Sequence, residues 1–101
     1  MDIVIYTTPE KLQHKRGLTE GPGAFYWYLS RPPKKFKEGD RVFFAVKGNV
    51  VGSFKSIEFN PDKDGWGDPM TDETIVWMSS SWKEMNPIPT THFQGFKYRW
   101  F

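Results

Sequence analysis

Phe36-Lys-Glu-Gly-Asp-Arg-Val-Phe-Phe-Ala-Val-Lys-Gly-Asn-Val-Val-Gly-Ser-Phe54 is the stretch whose reading decides the fold. Val42 to Val46 is apolar at every position, as a buried strand requires. Gly39 and Asp40 supply turn chemistry just before it. After it, Lys47-Gly48-Asn49 predicts a tight reversal, with Gly48 and Asn49 suited to the positive φ angles of a hairpin. The returning strand carries Gly52. A turn, a buried strand, a short reversal and a glycine-bearing partner strand together describe the seam of a small β-barrel.

Upstream of the seam, Asp2 to Thr7 is rich in β-formers and places Ile3 and Ile5 toward a core. Thr8 as N-cap, Pro9 at the first helical position and Glu10 in the first turn predict a short helix over 9–15, stopped by Gly17. Gly21-Pro22-Gly23 reads as a loop. Ala24 to Ser30 predicts a strand with Phe25, Trp27 and Leu29 on one face, Tyr26 and Tyr28 on the other, and both faces covered. Arg31-Pro32-Pro33 ends it, because proline donates nothing to a ladder.

Downstream, Asn60 to Asp72 collects Pro61, Gly65, Gly67 and Pro69 and predicts the longest loop. Thr74 to Met78 is strand-like, Ser79 to Glu84 a turn or short helix, and Asn86-Pro87-Ile88-Pro89 an extended connector. Phe93 to Phe101 alternates, with Phe96, Tyr98 and Trp100 opposite Lys97 and Arg99. The expected architecture is α+β but mostly β: one domain over residues 1–101, a mixed and mainly antiparallel barrel of five or six strands with one or two short helices.

A chain of 101 residues supports one core and no second folded unit. Aromatic residues make up 18% of it, more than so small a core needs, which predicts recognition surfaces built from some of the five tryptophans and four tyrosines. The absence of cysteine excludes disulfides, zinc-thiolate sites and a thiol nucleophile, and makes a cytoplasmic location the simplest expectation. Met-Asp-Ile-Val-Ile-Tyr has neither the basic nor the long apolar part of a signal peptide, and no segment is apolar enough to span a bilayer. The expectation is a soluble protein with no membrane partner. Charge is uneven: residues 1–55 hold ten Lys and Arg against five Asp and Glu, a net +5, and residues 56–101 hold four against seven, a net −3. Such a dipole steers an anionic partner to one face if the fold keeps the halves apart.

The Lys34 to Ile57 segment, with its lysine-rich lead, Gly39-Asp40 pair, buried strand and Gly52, resembles the seam of the PUA-like superfamily, which includes the ASCH and EVE domains. Phe93-Gln94-Gly95-Phe96-Lys97-Tyr98-Arg99 is similar to the closing strand of that barrel. The resemblance implies a small PUA-like barrel with a concave pocket that binds RNA or modified nucleobases. It also implies pocket walls from Tyr26 or Trp27, from Trp66, and from Trp77 or Trp82, with a base edge read by Asn86, Gln94 or a backbone amide. Trp27 and Trp77, each in a strand among apolar neighbours, read as core before they read as recognition residues. Trp66 and Trp82, flanked by glycine or polar residues, suit exposed recognition.

Independently of family, Arg31, Lys34, Lys35, Lys37 and Arg41, with Lys97 and Arg99 adjoining, form a candidate nucleic-acid surface. Their cations neutralise phosphates while aromatic faces stack on unpaired bases. The plain alternative is a solvated turn that maintains solubility. Asn60, Asp62, Asp64, Gly65 and Asp68 partly match a calcium loop, but Thr71 stands where the bidentate glutamate belongs, so no metal is expected. Catalytic patterns are absent: His14 and His92 are the two imidazoles, and no H-E-x-x-H, G-x-S-x-G or phosphate loop occurs. Some small ASCH proteins resemble amidohydrolases that use a lysine, a threonine and a glutamate. Lys11, Thr19 and Glu20, or Lys15 with Glu73, imitate that set without reproducing its motif. The functional expectation is a module binding RNA or single-stranded or modified nucleic acid, with no cofactor. A small enzyme acting on a modified nucleoside and a protein-interaction barrel are the competing classes.

Overall fold

In chain order the elements are β1 (Ile3–Tyr6), α1 (Pro9–Gly17), β2 (Phe25–Leu29), β3 (Arg41–Val46), β4 (Asn49–Glu58), β5 (Gly67–Asp68), β6 (Glu73–Met78), β7 (Lys83–Pro89) and β8 (Phe96–Tyr98). The computed structural model describes residues 1–17, 25–29, 33–58, 67–68, 73–78 and 82–101. β1 and β3 are parallel; every other pairing is antiparallel. The order is β2-β6-β4-β3-β1-β8, with β5 on β6 and β7 on β4. The fold is thus mostly β and mixed, as expected. Among the described residues β2 and β8 end the path without pairing to each other, so the expected barrel is not closed there.

β4 unites the sheet because it is long and irregular. Its N-terminal half pairs with β3 and β7, its C-terminal end pairs with β6, and register shifts lie between Val50 and Gly52 and between Ser56 and Glu58. Such irregularities bend and twist a strand, which lets one strand serve two sheet regions. β3 explains its own apolar run, since both its faces are covered. Val42 and Phe44 join Ile3, Ile5, Leu12, Leu29, Phe54, Met78 and Phe96 in one cluster. Phe43 and Ala45 join Val4 and Val50 in a second, against which Tyr6, Met85, Ile88, Phe93 and Phe101 pack.

The hairpin forms one residue earlier than its composition suggests. Positive φ falls on Lys47 (48°) and Gly48 (84°), not on Asn49, which already pairs with Val46. Two consecutive left-handed residues match the right-handed twist of the flanking strands. The tip is fixed from outside: the Gly48 amide donates to the Tyr6 hydroxyl at 2.6 Å, and the Thr90 amide donates to the Gly48 carbonyl at 2.8 Å. α1 begins where predicted, with the Lys11 amide donating to Thr8 Oγ1 and the Leu12 amide to the Thr8 carbonyl. Leu12, buried in the first cluster, anchors it.

Other expectations are corrected. Asn86-Pro87-Ile88-Pro89 is not a connector but part of β7, which among the described residues pairs with β4 alone; prolines are tolerated on a strand edge that needs no ladder donor. Lys83 and Glu84 also belong to β7 rather than to a turn or helix. Gly67–Asp68 forms a two-residue strand inside the expected loop. There are therefore eight strands among the described residues, not five or six. Of the 93–101 alternation only Phe96–Tyr98 enters the ladder. Tyr26 is exposed, so that face of β2 is not covered at this position. No helix among the described residues is long and apolar enough to cross a membrane.

A carboxylate closes the turn before β3. Asp40 Oδ2 accepts from the Lys37 amide and from the terminal ammonium of Met1, both at 2.8 Å. Burial alone raises the Asp40 pKa, but these hydrogen bonds and the positive charges of the terminus and Lys37 outweigh it and leave it below the ordinary carboxylate value. A depressed folded-state pKa gives stability that is fully present above the unfolded value and is lost as pH falls through the folded one. Thermal unfolding followed below about pH 4 should therefore show a shallower acid loss for Asp40→Asn than for the wild type. Equal slopes would show that the clasp contributes nothing.

Candidate ligand cavity and basic surface

The β1–α1 junction borders a cavity of about 460 Å³. Ile5 and Leu29 provide apolar floor, Trp27 an aromatic wall, and Lys11 and His92 polar edges, with Tyr6, Thr7 and Thr8 from the junction itself. The size falls in the usual range for small-ligand sites, roughly 300–1,000 Å³. Each wall has a sequence cause. β1 alternates, so Ile5 turns to the first cluster while Tyr6 turns to the second. Thr8 is held by its capping bond, which places Lys11 on the first turn of α1. Trp27 packs against the first cluster with its ring 5.0 Å from that of Phe44 at 63°. His92 rests edge-on against Tyr6 at 4.7 Å.

The electrostatics favour an anionic or electron-rich guest. Lys11 is exposed and has no carboxylate partner among the described residues, and the N-terminus of α1 adds its partial positive charge. No Asp or Glu among the described residues lines the cavity. The Thr7 hydroxyl is buried and has no hydrogen-bond partner among the described residues. Such a group costs free energy in the empty state that a bonded ligand or water recovers.

Among the described residues, Trp27 is the one expected pocket aromatic that lines the cavity. Tyr26 is exposed on the other face of β2. Trp82 is partly buried: its indole lies 4.8 Å from the Phe54 ring and packs on the first cluster over Gly52. Its polar neighbours in sequence do not reveal this, because the pairing of β7 with β4 places it. Trp66 and the Trp77 side chain lie outside the described structure. Asn86 and Gln94 are exposed, and neither lines the cavity.

The basic candidates separate into groups. Arg31 lies outside the described residues. Lys34, Lys35 and Lys37 are exposed on the turn before β3, where Lys35 sits 6.0 Å over the Tyr98 ring and its amide donates to the Tyr98 hydroxyl. Arg41 is structural, bonding Ser53 Oγ at 2.7 Å and the Ser53 carbonyl at 3.2 Å. Arg99 pairs with Asp2 at 3.0 Å and stacks on Phe43 and Phe101, each 4.8 Å away. Lys97 lies 4.9 Å from the Phe93 ring. Lys97 faces Val4 in the ladder while Tyr98 faces Ile3, so Lys97 belongs to the second cluster's face and the Lys35 turn to the first's. The β1–β8 ribbon therefore lies between the Lys35 turn and Lys97.

Lys11, Thr7, Tyr6 and His92 are the cavity residues that sequence reasoning did not assemble. Their signal was the β1–α1 junction: a strand running into a helix leaves its carboxyl end as a crevice, the usual ligand position where parallel strands are linked by helices. Among the described residues no cluster of three or more metal-ligating side chains occurs, and most of the calcium-like loop lies outside them. Comparison of the chain with protein-family models, curated proteins and solved structures finds no match.

Proposed function

We propose that the protein is a nucleic-acid-binding module of PUA-like character that receives one unpaired or modified base of an RNA or single-stranded DNA in the cavity at the β1–α1 junction. The observation that carries the reading is the cavity itself: an aromatic wall, Trp27, over an apolar floor, with the Lys11 ammonium at its edge. A base is a flat apolar face with a polar rim attached to a phosphate, and this lining answers each part. The PUA-like reading rests on the lysine-rich lead, the Gly39-Asp40 turn and the β3–β4 hairpin with Gly52. Lys34, Lys35 and Lys37 add sequence-independent, salt-sensitive attraction. The competing amidohydrolase reading needs a carboxylate beside its lysine; Glu20 and the Glu73 side chain, which the sequence offers for that part, lie outside the described residues.

Loss of a stacking aromatic costs about 1–3 kcal/mol of binding. Calorimetric titration with nucleosides, nucleotides and short RNA should therefore show weaker binding for Trp27→Ala, and unchanged binding for Trp82→Phe, whose ring is core. No binding by the wild type at low salt, or equal affinity in Trp27→Ala, would overturn the proposal.

A further inference from the structure

The segment from Thr90 to Lys97 borders two concavities. His92 and Gly95 line the first, the cavity described above; Thr90, Thr91 and Lys97 line a second of about 500 Å³, with Pro89 and Trp100. Its chemistry is distinctive. Trp100 is 47% exposed, more than Tyr26 at 38%. Edge-on contacts with Phe93 at 6.3 Å and Phe101 at 5.4 Å hold its ring, so little freedom is lost when something stacks on it. Beside it, the Lys97 ammonium is positioned over Phe93 and has no carboxylate partner among the described residues. An exposed indole and an unneutralised ammonium in one groove form the pair that single-stranded nucleic acid binds, base on the ring and phosphate on the cation.

We propose that this groove is a second nucleotide subsite, which takes the neighbouring nucleotide of the strand whose base occupies the cavity. The inference rests on the cavity reading above. It makes the segment 90–97 the ridge across which the strand passes, and makes Trp100 and Lys97 determinants of binding length rather than of base identity.

The test measures a mononucleotide and a labelled single-stranded tetranucleotide against wild type, Trp100→Ala and Lys97→Gln. The mononucleotide is followed by calorimetry and the tetranucleotide by fluorescence anisotropy. Trp100→Ala is expected to weaken the tetranucleotide by between about fivefold and a hundredfold while leaving the mononucleotide unchanged. Lys97→Gln is expected to lower the slope of log affinity against log salt by about 0.7, the value for one phosphate contact on a single strand. If the wild type binds both ligands and both variants match it, the groove inference fails and the cavity reading stands. If the wild type binds neither, both fail together. Self-association that Trp100→Ala abolishes with no change in tetranucleotide affinity would assign the groove to a second copy of the chain and overturn the inference.

Discussion

Gly52→Ala is expected to destabilise the fold by about 3 kcal/mol, at the upper end of overpacking penalties, and to lower the urea midpoint accordingly. A Cβ at Gly52 meets Trp82 Cζ2 well inside contact distance, and stands 2.7 Å from Cη2 and 2.8 Å from the Lys83 carbonyl oxygen. Neither neighbour gives way cheaply. The indole is packed against Phe54 and the first cluster, and the carbonyl belongs to β7, which pairs with β4 at Gly52 and Ser53. Relief requires the ring to leave the core or β7 to lift from its partner. In a Trp82→Ala background the same substitution should cost less, because only the backbone contact remains; the two changes are then coupled. A Gly52→Ala midpoint equal to that of the wild type would show that the close approach does not constrain the fold.

Gly52 also marks the limit of what the sequence discloses. Its presence in a strand signals a close approach, and the hairpin, the buried run of β3, the Thr8 cap and the first strand were all legible, because each depends on residues adjacent in the chain. What approaches Gly52 is Trp82, distant in sequence and brought in by an edge strand containing two prolines, which local preference reads as non-strand. The cavity was hidden for the same reason. Its walls come from Ile5, Tyr6, Thr7 and Lys11, from Trp27 and Leu29, and from His92 and Gly95, which the β1–β3 and β1–β8 pairings and the packing of β2 bring together. Residue type identified Trp27 and Lys97 as candidates but did not separate them from Arg41 and Arg99. In space, Arg41 bonds Ser53, and Arg99 pairs with Asp2 and lies over Phe43 and Phe101. Nor does position along the chain place charge in space: among the described residues, Lys97 and the Lys35 turn lie on opposite faces of the β1–β8 ribbon.

Phe44 links the core to the proposed site, and its removal should have the largest effect of any single change considered. The side chain is fully buried, with its ring 5.0 Å from Trp27 and 5.9 Å from Phe54. Phe44→Ala removes the transfer energy of the ring and leaves a cavity, a combined cost of about 3–5 kcal/mol. Against the total stability of a small domain, about 5–15 kcal/mol, that brings the protein close to unfolding at ambient temperature. Binding is therefore better tested with Phe44→Leu, an apolar replacement that keeps part of the volume and costs less. Leucine lacks the aromatic edge that holds the Trp27 plane, so nucleotide affinity should fall in Phe44→Leu even where denaturation curves show the protein fully folded. The two quantities separate the roles of this side chain: the midpoint reports its packing, and the affinity of the folded variant reports its support of Trp27. Unchanged affinity in a folded Phe44→Leu protein would mean that the rest of the first cluster positions Trp27 without the Phe44 ring. An unchanged midpoint in Phe44→Ala would remove Phe44 from the centre of the core altogether.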